Sequence, residues 1–286
     1  MPFPSSTAVP LEIFLSESLP ESLGAVALPE GFSVSIDPSA PLWFGPEADA
    51  PEGEILHVAQ WVYALAAPFP TLVDSTSLEE LQAFWQGDPP ITHEPITTLY
   101  LPEAVSAVFE QEWGPKVGRD IRTFSKPPED ELLWEENAWA VLPFDELDPK
   151  LKIIQVAGQS PLFKSFSADS YLLTVSFVLT QNPGSSEGLP EPVLSDWVAT
   201  LPATNRDLDK LTTLVMTGVT AMVRATADRM ETKGVLYPGQ DIRPWLVEAD
   251  LTHISNEVSF YEDCPPPDKD SRSLFFCSYP KYIELL

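Results

Sequence analysis

Gly184-Ser-Ser-Glu-Gly188 has the G-x-S-x-G spacing that can seat a nucleophilic serine, and Asp250 and His253 follow later in the chain. Such a serine works from a strained turn, with a strand running straight into it and a helix leaving straight from it. Here Asn182 and Pro183 precede the motif and Pro190 and Pro192 follow it. That is loop composition, so a flexible loop is expected rather than a hydrolase elbow. His57, His93 and His253 are isolated, and no C-x-x-C, H-x-H or H-E-x-x-H spacing gathers metal ligands. Asp145 with Asp148, Asp207 with Asp209, and Asp268 with Asp270 are pairs that chance supplies among 43 acids. No calcium loop or Gly-rich phosphate loop is complete. The sequence therefore nominates no catalytic residue, no metal ligand and no cofactor.

Cys264 and Cys277 bracket a Pro-Pro-Pro-Asp-Lys-Asp turn and could clip a hairpin. Two half-buried thiols in a reducing compartment are the expected state.

The charge is regional. No Lys or Arg precedes Lys116, while residues 1–115 carry seventeen Asp and Glu. Residues 1–150 hold 26 acids and 5 bases, net −21, against 17 acids and 11 bases, net −6, in the remainder. Salt adaptation would be expected to acidify the whole chain, so a surface facing a basic neighbour is the better reading. Phosphate backbones need clustered bases, which excludes direct nucleic-acid binding as an expectation. Nothing approaches the apolar length of a membrane span, the first residues lack a basic signal region, and a cytoplasmic location is expected outside a virion. Large aromatics crowd the acidic half. Trp43, Phe44, Trp61, Trp85 and Trp113, with Glu47, Asp49 and Glu52, are the candidate partner interface. The expected partners are protein subunits with basic surfaces, in a homo- or hetero-oligomer.

The elements that must position these residues fall into two expected domains, an acidic lobe over 1–145 and an α+β domain over 146–286. Twenty of the 31 prolines lie in residues 1–150. They predict an extended, partly irregular lobe of short strands and helices. Residues 54–67 fit either a helical face or a strand buried on both sides. Ser77-Leu-Glu-Glu80 is a capping box and Gly87 a stop, predicting a helix over 78–86. A strand over 96–101 and a helix between Pro102 and Gly114 follow, then a polar loop over 116–131. Strands are expected over 150–157 and 170–180, and Leu194, Trp197, Val198 and Leu201 mark a short amphipathic helix. Apolar residues near helical spacing predict one long helix over 205–233, stopped by Gly234. It should pack on an antiparallel sheet with strands near 245–252, 257–262 and 273–279. No internal repeat is visible.

The run Leu-Lys-Ile-Ile-Gln-Val-Ala-Gly-Gln-Ser from Leu151, continuing to Tyr-Leu-Leu-Thr-Val-Ser-Phe at Phe177, resembles paired-strand segments of tail, baseplate or neck proteins of tailed bacteriophages over residues 150–181. The resemblance implies a virion component that oligomerises about a symmetry axis and has no catalytic residues. A non-enzymatic structural or interaction protein is thus the leading expectation. The alternatives are a hydrolase acting through carboxylates or through Ser186 with His253, and an acidic inhibitor or immunity-type binder of a basic partner.

Overall fold

The structure is a computed structural model and describes residues 10–88, 96–183, 191–270, 273 and 275–286. The Gly184–Gly188 motif and His93 lie outside the described residues. The chain divides into two compact units, Met1–Asp207 and Leu208–Leu286. The division falls at 207/208, whereas the sequence reading set it between 145 and 146.

In the first unit, β1 (Leu11–Leu15) lies parallel to β2 (Phe32–Ser35) on one side and β3 (Leu42–Pro46) on the other. The four-residue helix α1 (Glu21–Gly24) connects β1 to β2. Then comes β4 (Glu54–Pro68), in which Trp61 to Ala67 are all at most 2 % exposed. Such a run marks a strand covered on both faces, which resolves the ambiguity of residues 54–67. After β5 (Ser75–Thr76) and α2 (Leu78–Gln86), the chain builds β6 (Leu99–Pro102), α3 (Glu103–Trp113), β7 (Ile121–Phe124), α4 (Asp130–Glu136) and β8 (Trp139–Pro143). Here β6 is the central parallel strand, between β7 and β8. The unit is completed by β9 (Leu151–Val156), β10 (Thr174–Gln181) and α5 (Glu191–Val198).

The sheet order β2-β1-β3-β10-β4-β8-β6-β7 contains a repetition that the sequence hides. Each half runs second strand, first strand, third strand, then an antiparallel strand: β10 against β3, and the later part of β4 against β8. Residues 54–62 of β4 pair with β10, and residues 63–68 with β8 and β9, so one strand serves both halves. No sequence repeat accompanies it: the halves share topology without sharing residues. The prolines punctuate this sheet, four of them standing directly before a helix or 3-10 turn at the end of a strand or its following loop.

The second unit departs further from expectation. The single helix over 205–233 is instead β11 (Leu214–Thr220) followed by α6 (Arg224–Lys233). The run Leu-Val-Met-Thr-Gly-Val-Thr is β-branched and carries a glycine, both poor in a helix interior. Its Leu214, Met216 and Val219 are exposed. The stop at Gly234 does hold, at φ 107°. Trp245 sits in the helix α7 (Arg243–Glu248), with Pro244 in its first turn, rather than in a strand. β12 (Leu251–Asn256) pairs with β11 and β13 (Ser259–Phe260) with β14 (Cys277–Ser278), both parallel rather than antiparallel. Cys264 and Cys277 form a disulfide, correcting the expectation of free thiols. The fold as a whole is mixed α and β.

Candidate binding site

Pro20, Pro46, Pro102 and Pro143 are equivalent stations in the two halves. All four have φ between −55° and −59° and ψ between 137° and 146°, and each precedes a helical turn. Proline fixes the φ needed where an extended segment becomes helical and gives up an N–H that the ladder no longer uses. Acids follow within the first turn: Glu21, Glu47 and Glu103 directly, and Asp145 with Glu146 after Phe144. Carboxylates in a first turn oppose the positive end of the helix dipole, so the helix end that would attract an anion, that of α3, is already matched.

A crevice of about 40 Å³ opens at the carboxyl ends of these strands. Its walls come from residues 17–21 after β1, Pro102 and Glu103, the segment from Phe124 to Pro127, Pro143 and Glu146, and from Tyr63 in the middle of β4. Among the described residues four carboxylates line it, those of Glu17, Glu21, Glu103 and Glu146, and no base does. Lys126 lies between the lining residues Ser125 and Pro127 in sequence but is not itself a wall. A second groove of about 280 Å³ is bounded by Pro46 and Glu47, by α3, and by Thr174 to Ser176 of β10.

Tyr63 is 2 % exposed, and its hydroxyl has no hydrogen-bond partner among the described residues although the ring lines the crevice. Burial, then the charges of Glu146 and Asp145, push its phenol above the ordinary range, so it is a neutral O–H. Desolvation of its carboxyl raises Glu146, with Asp145 and Glu21 adding repulsion. Asp145 is held between the halves: Ser22 Oγ of α1 donates to it at 2.8 Å, and Asn205 Nδ2 at 2.9 Å. Asn205 also donates to the Val62 carbonyl at 2.9 Å and accepts from the Val62 N–H at 2.8 Å. The side chain beside the crevice thus ties α1, the turn after β8 and the middle of β4 together.

The residues nominated from sequence lie elsewhere. Trp43, Phe44, Trp61 and Trp85 are at most 4 % exposed and form the core, so they cannot anchor a partner. Trp113 packs partly buried against Phe109 at 4.4 Å. Glu47, Asp49 and Glu52 are exposed. Asp250 accepts from the Thr213 N–H at 2.9 Å and from its hydroxyl at 3.0 Å instead of orienting His253, which is exposed on β12. His57 Nε2 lies 3.1 Å from the Pro202 carbonyl. Among the described residues no three His, Cys, Asp or Glu side chains converge as a metal would require. The crevice itself was missed, yet a signal existed in the recurring Pro-acid steps Pro20-Glu21, Pro46-Glu47 and Pro102-Glu103.

No family model matches the chain, and no curated protein does. Among solved structures it is similar to a putative phosphate ABC transporter substrate-binding protein from Clostridium perfringens, at 15% identity and TM-score 0.49, covering 66% of this chain and 92% of that one. An ABC-type phosphate transport receptor from Vibrio cholerae follows at 15% identity, 56% and 74% coverage and TM-score 0.42. A mutant OxyR regulatory domain from Pseudomonas aeruginosa gives 12% identity, 68% and 98% coverage and TM-score 0.38. Likenesses of this size lend the chain no ligand. They do correct the phage expectation, since these are receptors and a regulatory domain rather than virion proteins. The ladder corrects it too: β9 and β10, read as a strand pair, do not pair with each other, β9 joining β4 and β5 while β10 joins β3 and β4. Among the described residues no helix is long and apolar enough to cross a membrane.

Proposed function

We propose that this protein binds a small molecule, without transforming it, in the crevice between the two half-sheets of residues 1–207. The observation that carries the reading is topological. In each half the first strand lies between the second and the third, which makes a switch point beside β1 and another beside β6. Open α/β sheets take ligands outside the carboxyl ends of their strands at such points. Here the segments leaving β1, β6, β7 and β8 wall one crevice. Tyr63 supports the same conclusion, because it lines the crevice and its hydroxyl, which bonds no described residue, is available to a ligand there. The virion, hydrolase and inhibitor readings are set aside.

The test is a thermal-shift survey of the full chain against metabolites of both charges, repeated on Ser125→Trp, which fills the crevice mouth from an exposed position. At least one compound should raise the melting temperature of the native protein and leave that of Ser125→Trp unmoved. Shifts of equal size in both proteins, or none in either, would overturn the reading.

A further inference from the structure

The structure assigns this crevice to an organic cation carrying ammonium groups, such as a linear di- or triamine, with Tyr63 and Glu146 holding the leading ammonium and Glu17, Glu21 and Glu103 matching the charge behind it. The assignment rests on the crevice being the binding site and concerns which chemistry it accepts. Two independent observations carry it. The first is the sign of the walls: among the described residues, four lining carboxylates come from three separate segments and no base lines the crevice. An anion entering there would meet repulsion from every side, and α3, whose N-terminus could otherwise favour it, begins with Glu103.

The second observation is Tyr63. An acidic rim alone is an ordinary solvated surface, but the Tyr63 side chain is 2 % exposed, lines the crevice, and has a hydroxyl without a hydrogen-bond partner among the described residues. A neutral phenol oxygen accepts a bond from an ammonium, which has three donors and no acceptor. Its own proton can then turn toward a carboxylate. Both kinds of partner an ammonium needs, a neutral acceptor and carboxylates, therefore line this one crevice.

Geometry separates an organic cation from a metal ion. A divalent metal gathers several oxygen ligands within about 2.0–2.6 Å, and among the described residues no three acids converge in that way. The carboxylates are instead spread over the loops after β1, β6 and β8, which suits positive groups distributed along a chain. At about 40 Å³ the crevice has room for one ammonium group, leaving the remainder of such a ligand along the rim.

The test is calorimetric titration of the full chain with spermidine, and separately with inorganic phosphate, repeated on Tyr63→Phe, Glu146→Gln and Glu103→Gln. Glu12→Gln, on β1 and away from the crevice, controls for attraction to a protein of net charge −27. The inference predicts one saturable spermidine site and no phosphate binding. It also predicts about tenfold weaker spermidine binding in Tyr63→Phe and Glu146→Gln, as expected when a bond to a charged group is lost, with Glu12→Gln unchanged. Glu103→Gln, exposed on the first turn of α3, should weaken binding too and checks the site without touching the core. Phosphate binding without spermidine binding would overturn the cation assignment while leaving the crevice as a ligand site. Spermidine binding equal in all five proteins would overturn it as unspecific attraction. No binding of either probe would overturn it as well, and only a failed survey with Ser125→Trp would remove the crevice reading beneath it.

Discussion

Tyr63 and Gly45 show how much a single position can decide in this molecule. A hydroxyl that bonds nothing contributes nothing to folding, so Tyr63→Phe should leave stability within about 0.5 kcal/mol of native or raise it slightly. Urea denaturation checks this, and a loss of 2 kcal/mol would mean that the phenol has a structural partner after all. Gly45 is the opposite case. A Cβ there would lie 2.6 Å from the Trp43 ring and 2.7 Å from Ser16 Cβ, in a position that is fully packed. Gly45→Ala should cost about 1–3 kcal/mol, since neither the indole nor the neighbouring strand can move away freely. Neither role is legible in sequence. Tyr63 sits in an apolar run where any aromatic reads as core, and what sets it apart is the wall it faces. The aromatics that did stand out, Trp43, Trp61 and Trp85, stand out for size, and all three are buried in the core.

At the scale of elements, what was legible is what chemistry makes local. The helix α2 runs over Leu78–Gln86 as expected, because Ser77 accepts from the Glu80 N–H at 3.2 Å and Glu80 accepts from the Ser77 N–H at 3.0 Å. Gly87 ends it in the left-handed region at φ 74°. Ser77→Ala should therefore cost about 1 kcal/mol in denaturant unfolding. The helix α3 was bounded equally well by Pro102 and Gly114. The long helix failed for a physical reason: helical spacing is easily met by chance where apolar residues are dense, whereas β-branching in Leu214–Thr220 and the pairing with β12 are decided by neighbours distant in sequence. In α6, Glu231 accepts from Lys281 at 2.9 Å and from the Tyr282 hydroxyl at 2.6 Å, tying the C-terminal turn to the helix. These bonds, Lys281 first, hold the Glu231 carboxyl below its ordinary range. A depressed carboxylate stabilises the fold above its unfolded value, and that contribution disappears as pH falls from the ordinary glutamate range through the lowered one. Glu231→Gln should thus lower the stability of residues 208–286 at pH 7 and make little difference near pH 2, with the size kept small by exposure to solvent.

At the scale of the whole molecule, the regional charge was legible and its meaning was not. The acids before Lys116 pointed outward, toward a basic partner, whereas three of them, Glu17 and Glu21 after β1 and Glu103 after β6, line one crevice. Composition cannot distinguish a surface from a site, because that depends on which loops the topology brings together. The repeat of strand order was invisible for the same reason, since it lies in connectivity and is carried by Pro-acid steps rather than by similar stretches of sequence. The disulfide adds a prediction about the second unit: Cys264→Ser should destabilise residues 208–286 by about 3 kcal/mol, the size expected for a closed loop of this length. The unfolding of residues 1–207 should stay unchanged, and two separate transitions by calorimetry would show it.

The most direct test of the account reports from inside the crevice. With tyrosine labelled at its Cζ carbon, the seven tyrosines give seven carbon signals, and Tyr63→Phe identifies the one that belongs to Tyr63. Titrated with spermidine, that signal should move to saturation while the other six stay in place. A Tyr63 signal that remains still under spermidine and moves under phosphate would contradict the account.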